Sequence, residues 1–399
     1  MIKISRMIPY QEWYGVERNS TISSPTWTRI GGNMSLHKTL PVHNLLKACL
    51  VSSGKTINYY LDPTDWSKKM NESASNLTGI DGDVMIRKTA SSYWKFETVG
   101  NIQRVKCSLF PLPGFYEIRT WNYGAYEGKV SGSTLKSISG VLPTTSVSLT
   151  NFRTYARNNG TGYNQQLLEP YSEITWLAVI EFATFNIQLA VNDNLTVDGY
   201  RQGGMGNGVT TAISAEWLAY NNYNTFIVCG SSNSLASGTG EITVNIINFT
   251  GTTTRTFTVP RYRGIENFFG HIWKWIDGVY FNSTGGTQSA YVFDDPNDIV
   301  DNSTGTTARY VGNTPVTSNW ITKLIFDTKG SILPLANGGG GQTTYICDYY
   351  YAPVINTGWY ALVCGGIAIN GGVAGTFSAY ANGRATAADA GIGARLLTN

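Results

Sequence analysis

A chain of 399 residues with a net charge of +3 and only 14% charged residues carries no basic patch of the kind nucleic acid requires, and it is too aromatic for a disordered tail. Its 24 Tyr, 11 Trp and 44 Gly predict short strands, tight turns and a surface made polar mainly by Ser, Thr and Asn. Cys49, Cys107, Cys229, Cys347 and Cys364 are scattered and form no CxxC pair, which favours buried reduced thiols over a disulfide framework or a zinc site.

The N-terminal stretch MIKISRMIPYQEWYG has no apolar h-region, so no secretion leader is expected. No run of 18 apolar residues occurs, so membrane insertion is not expected either. The N-x-S/T triplets at Asn71, Asn248 and Asn302 fit an Asn/Thr-rich surface better than glycosylation. Residues 1–140 read as β and loop: VMIRK, YWKFE, QRVKCSLFPL and YEIRTWNYGAY are short clusters separated by Gly, Pro, Asn and Asp. A Ser/Thr/Gly/Pro-rich stretch at 129–148 marks the expected boundary with a second region, 141–399. A helix is expected after Thr150 as N-cap, closed by NNGTG. The main helical expectation is SEITWLAVIEFATFNIQLAV, 172–191, apolar on nearly every face and therefore deeply buried. Beyond it come short strands and Gly/Asn/Thr loops, with a hairpin over 237–260.

The stretch RYRGIENFFGHIWKWIDGVYF, 261–281, concentrates catalytic residue types: Glu266, His271 and Asp277. Their spacing does not match a helical metal pair, and no second histidine lies nearby in sequence. The favoured reading makes Trp176, Trp273 and Trp275 core residues, with Glu181, Glu266 and His271 satisfying buried polar groups around them.

Within that stretch GHIWKW (270–275) resembles the GNxWEW signature of the C-type-lectin-like fold. That fold is shared by formylglycine-generating-enzyme-like domains and by the variable proteins of diversity-generating retroelements. The helix TWLAVIEFATFN is similar to the aromatic-rich helix those proteins carry upstream. The segment 359–396 resembles their C-terminal variable segment: Gly365–Gly366, Asn370–Gly371, Ala374–Gly375 with Phe377, Tyr380 with Asn382, and Ile392–Gly393 with Arg395–Leu396. Upstream words such as TWTRIGG, YLDPTDW and GYRQGGMGNGVTT resemble tail-fibre or receptor-binding proteins of Bacteroidetes-infecting phages. The resemblance implies an α+β chain: a β-rich region (1–140) for virion attachment and assembly, then a C-type-lectin-like domain (141–399) with one long buried helix on a twisted mixed sheet. It also implies a virion fibre protein, on head or tail, that contacts other virion proteins, assembles as a homotrimer and binds a bacterial surface glycan or protein.

Three site expectations follow. The acidic loop FDDPNDIVDN offers Asp294, Asp295, Asp298 and Asp301 as a weak calcium candidate, although its spacing departs from the EF-hand and a solvated turn is the simpler reading. Oxidase chemistry would need Cys347 or Cys364, and nothing beside either marks a lowered thiol pKa, so no catalytic residue and no cofactor are assigned. The glycine-pinned terminal segment is expected to project Trp359, Tyr360, Leu362, Ile367, Ile369, Val373, Thr376, Phe377 and Tyr380 as one exposed aromatic-apolar receptor patch. Arg395 is expected to be structural, pairing with an acidic group or the Trp273/Trp275 region. The alternative is a purely structural virion protein that uses the same patch for protein–protein packing.

Overall fold

The computed structural model describes residues 11–352 and 357–399; the first ten residues of the stretch read for a leader lie outside them. The chain is mostly β, with 37% strand and 13% helix. This corrects the expected α+β class with one long helix. Four α-helices occur among the described residues: α1 (Leu36–Thr39), α2 (Leu149–Arg157), α3 (Leu168–Phe182) and α4 (Ser214–Asn221). The many apolar clusters bounded by glycine become strands, and they outweigh the single buried helix.

Helix α3 begins four residues before the expected start, because Pro170 in its first turn needs no amide partner. It also stops nine residues early. Ala183 adopts the left-handed conformation (φ 55°) and donates its N–H to the Val179 carbonyl. The next residues are drawn out of the helix by backbone bonds to another segment: Trp27 N–H to Ala183 at 2.8 Å and Phe185 N–H to Pro25 at 2.9 Å. Phe185 and Ile187 stay buried in that extended path, so the apolar pattern outlasts the helix. The cap of α2 is also shifted: the Ser148 hydroxyl, not that of Thr150, accepts the Asn151 N–H.

A five-stranded sheet runs in the order Thr28–Gly31, Tyr14–Asn19, Ile102–Ser108, Ser92–Val99, Tyr116–Ile118. A six-stranded sheet places Leu396–Thr398 between Tyr163–Gln165 and Asn122–Gly124, followed by Asp83–Lys88, Leu46–Val51 and Ile57–Tyr60. Strands from both sides of residue 140 therefore share hydrogen bonds, and one apolar core runs from Tyr14 to Leu397. The largest sheet belongs to the C-terminal half. Its order is Arg309–Thr314, Thr287–Val292, Trp273–Thr284, Gly358–Cys364, Ala379–Gly383, Tyr349–Tyr351, Asn319–Leu324, Pro334–Gly338, with Ile392–Gly393 alongside Trp273–Thr284. The hairpin expected over 237–260 forms from Gly240–Ile246 and Arg255–Tyr262.

Helix α3 is fixed to both halves by buried charge. Glu173 accepts from Lys88 at 2.8 Å, Trp94 at 3.1 Å and Trp121 at 2.7 Å. At the other end, Glu181 accepts from Arg263 at 2.8 Å and Tyr262 at 3.0 Å. Trp176 lies between them, fully enclosed, with Trp27, Phe96, Phe185, Phe326 and Phe377 packed around it.

Candidate functional site: an aromatic row beside a glycine-turned loop

The residues of 261–281 that look catalytic are all consumed by structure. His271 Nε2 faces the backbone N–H groups of Phe226 and Ile227 at 3.2 and 3.3 Å. It must therefore be an acceptor, which puts the ring proton on Nδ1, directed at Glu127 at 2.6 Å. Lys274 completes the cluster, 3.0 Å from Glu127 and 2.7 Å from the Gly270 carbonyl. Burial pushes the Glu127 carboxyl up, but Lys274 and His271 outweigh it and hold the group at about 2. Nothing in the sequence around Glu127 singles it out; only the fold brings it to His271.

Glu266 is closed in the same way. It accepts from Gly230 N–H at 2.8 Å and from the Ser232 N–H and hydroxyl at 2.7 and 2.6 Å. Asp277 takes both arms of Arg153 at 2.7 and 2.6 Å. Arg395, expected to pair with an acidic group or the Trp273/Trp275 region, is buried with other partners. It donates to the carbonyls of Gly124, Glu266 and Asn267 at 2.9, 2.7 and 3.2 Å, and stacks on Tyr123. Trp273 and Trp275 are buried too. All five thiols are buried, and burial pushes the Cys347 and Cys364 thiols well up, away from thiolate chemistry.

The four aspartates of the acidic loop go separate ways. Asp294 meets Lys329 at 2.8 Å and Arg309 at 3.4 Å. Asp295 caps a short turn through Asn297 N–H at 2.8 Å, and Asp301 accepts from Arg153 at 2.7 Å and Thr150 at 2.6 Å. Asp298 is exposed. Among the described residues no three His, Cys, Asp or Glu side chains converge in a metal-holding group.

The terminal segment divides by strand alternation. On Gly358–Cys364, Tyr360 and Leu362 face the main core, whereas Trp359, Ala361 and Val363 face the opposite side of the sheet. Thr376 and Phe377 are also buried, Phe377 against Trp176 at 6.0 Å and Phe185 at 5.1 Å. The nine residues expected in one patch are thus not all on the surface. Trp359, Ile367, Val373 and Tyr380 are half-buried and Ile369 is exposed.

What the fold assembles is a row of rings on that opposite side. Trp320 meets Tyr349 at 5.8 Å, Tyr349 meets Tyr351 at 4.8 Å, and Tyr351 meets Tyr380 at 6.3 Å. All four are half-buried, and Trp273 closes the row from beneath, 5.8 Å from Tyr351 and 6.1 Å from Tyr380. A second group, Trp359, Tyr291 and Tyr310, lies across the same sheet with contacts of 5.8 and 5.7 Å. The sequence carries a signal for the row: in DYYYA (348–352) the middle tyrosine enters the core, which leaves Tyr349 and Tyr351 on the outer face.

The loop after Cys364 lies against this row. Gly366 sits at φ 74°, and a Cβ there would lie 2.5 Å from that of Ala374, so only glycine makes the turn. Asn370 locks the loop by accepting the Ile367 N–H at 2.8 Å and donating to the Tyr351 hydroxyl oxygen at 3.1 Å. The Tyr351 hydroxyl keeps its own proton, its pKa pushed up to about 12 by burial, and can donate it outward. A larger cleft of about 730 Å³ opens at the start of α3; two of its three cations are paired, Arg309 with Asp327 at 2.8 Å and Lys329 with Asp294 at 2.8 Å, and the third, Arg119, is exposed.

No family model and no curated protein matches this chain. Three solved structures are similar in part. PvdO from Pseudomonas aeruginosa aligns over 82% of this chain and 100% of its own, at 8% identity and a TM-score of 0.34. The U1 variant of Major Tropism Determinant aligns over 98% of this chain and 72% of its own, at 12% identity and a TM-score of 0.29. The P3c variant aligns over 97% and 72%, at 13% identity and a TM-score of 0.30.

Proposed function

We propose that this chain is a non-catalytic phage virion fibre protein that binds a receptor on the bacterial surface through the aromatic row and the adjoining loop 365–373. The row is the observation that carries the reading. Four half-buried rings in mutual contact form a rigid surface that loses little entropy on binding. The resemblance of 359–396 to retroelement-diversified segments supplies the biological setting. Region 1–140 would serve assembly, and a homotrimer would convert several modest sites into high avidity.

The test is surface staining of a panel of Bacteroidetes isolates with labelled purified chain. A subset of isolates is expected to stain. The triple variant Trp320→Ala/Tyr349→Ala/Tyr351→Ala is expected to melt lower but stay folded at the staining temperature, as read by circular dichroism, and to lose at least about tenfold in binding, since aromatic anchors dominate interfaces. Staining of no isolate, or a variant that binds like the parent, refutes the proposal.

A further inference from the structure

On the other side of loop 370–373 lies a groove of about 340 Å³, lined by Asn186, Gln188, Asn207, Thr211, Gln342 and Thr343 together with small and apolar residues. No lining residue is charged. Arg255, whose guanidinium donates to the Thr211 carbonyl at 3.4 Å, is neutralised by Glu216 at 3.4 Å. The groove is also tied together. Asn186 Nδ2 donates to the Gln342 carbonyl at 3.0 Å, and Gln188 Nε2 donates to the carbonyls of Asn207 and Gly371 at 3.4 and 3.3 Å. Asn186 Oδ1, Gln188 Oε1, the Thr211 and Thr343 hydroxyls and the whole Gln342 amide make no hydrogen bond to the protein among the described residues. Loop 370–373 joins the groove to the rings, since Asn370 bonds Tyr351 while the Gly371 carbonyl accepts from Gln188.

Amides and hydroxyls both donate and accept, as sugar hydroxyls do, so each can match a hydroxyl in either sense. A carboxylate or phosphate would find no cation here to offset its desolvation. The volume is at the lower end of small-ligand clefts, which span about 300–1,000 Å³, and the neighbouring rings offer apolar faces for a continuing chain. Resting on the reading of the chain as a receptor binder, we infer that the groove and the aromatic row form one continuous site for a neutral, hydroxyl-rich glycan.

Gly372 supplies a specific probe. A Cβ at this position would lie 2.1 Å from Gln342 Cδ, and Gln342 is an exposed, movable side chain. Gly372→Val therefore fills the groove and displaces Gln342 while the core is untouched. Binding is measured on an array of purified bacterial surface polysaccharides, neutral ones beside uronic-acid- and phosphate-bearing ones, and on stained cells treated with periodate or with protease. The expected result is capture by neutral polysaccharides and loss of cell staining after periodate but not protease. Gly372→Val and the Gln188→Ala/Gln342→Ala variant are expected to bind at least tenfold more weakly, with unchanged melting. Preference for the acidic polymers, or staining abolished by protease, overturns the glycan inference while the receptor-binding reading stands. Variants that bind within twofold of the parent overturn the groove's part in the site. Staining of no cells at all overturns the reading and the inference together.

Discussion

His271→Ala separates a structural histidine from a catalytic one. The imidazole is fully buried and serves three partners. Removing it leaves the Phe226 and Ile227 amides without their shared acceptor, at about 1–3 kcal/mol for an orphaned buried polar group. It also strips one charged hydrogen bond from Glu127, worth about 1.5–3 kcal/mol. The sum, roughly 2.5–6 kcal/mol before any cavity cost, is a large share of the stability of an ordinary domain. Urea unfolding followed by tryptophan fluorescence should show a markedly lower midpoint, or the variant should fail to accumulate as folded protein. Glu127→Gln should behave similarly, because it leaves the Lys274 ammonium buried without a counter-charge. A His271→Ala protein with an unchanged midpoint would refute this reasoning and reopen the catalytic reading of 261–281.

Two buried carboxylates set the acid limit. Burial opposes the charged form of both Glu127 and Glu181, but Lys274 and His271 for the first, and Arg263 and His43 for the second, hold each at about 2 against an ordinary 4.5. A depressed folded pKa means that their stabilisation is complete above pH 4.5 and is lost as pH falls toward 2, so denaturant midpoints should drop across that window. Asp348 has the opposite sign. Burial raises its carboxyl from 3.8 to about 8, so the folded state holds a proton that the unfolded chain releases, and stability falls as pH rises between those values. Asp348→Asn keeps an acceptor for the Phe377 N–H, now at 2.8 Å, and should flatten that fall and be more stable than the parent at pH 8. A variant equal to or weaker than the parent at pH 8 would contradict a protonated Asp348.

Much of the core was legible in the residue pattern. The apolar run around Trp176 dictates burial whatever its neighbours, and Trp273 and Trp275, flanked by Ile272 and Ile276, are buried in the structure. The polar roles of Glu266 and His271 followed from the absence of any second ligand nearby in sequence. The partners did not follow. Glu127 lies 144 positions from His271, and Arg153 lies 124 from Asp277, so no local spacing reveals either pair.

By itself, then, the sequence determined a turn-rich, aromatic and weakly charged chain whose tryptophans must be enclosed, because composition and local apolar pattern fix burial. Tertiary structure decided where α3 ends, since bonds to residues 25 and 27 outweigh its remaining helical pattern. It also decided which rings reach the surface. Strand alternation sends Tyr360 and Leu362 inward, and strand order brings Trp320, Tyr349, Tyr351 and Tyr380 from separate segments into one row. Which side of a sheet faces solvent is set by what packs on the other side, and that is a property of the whole fold rather than of any segment within it.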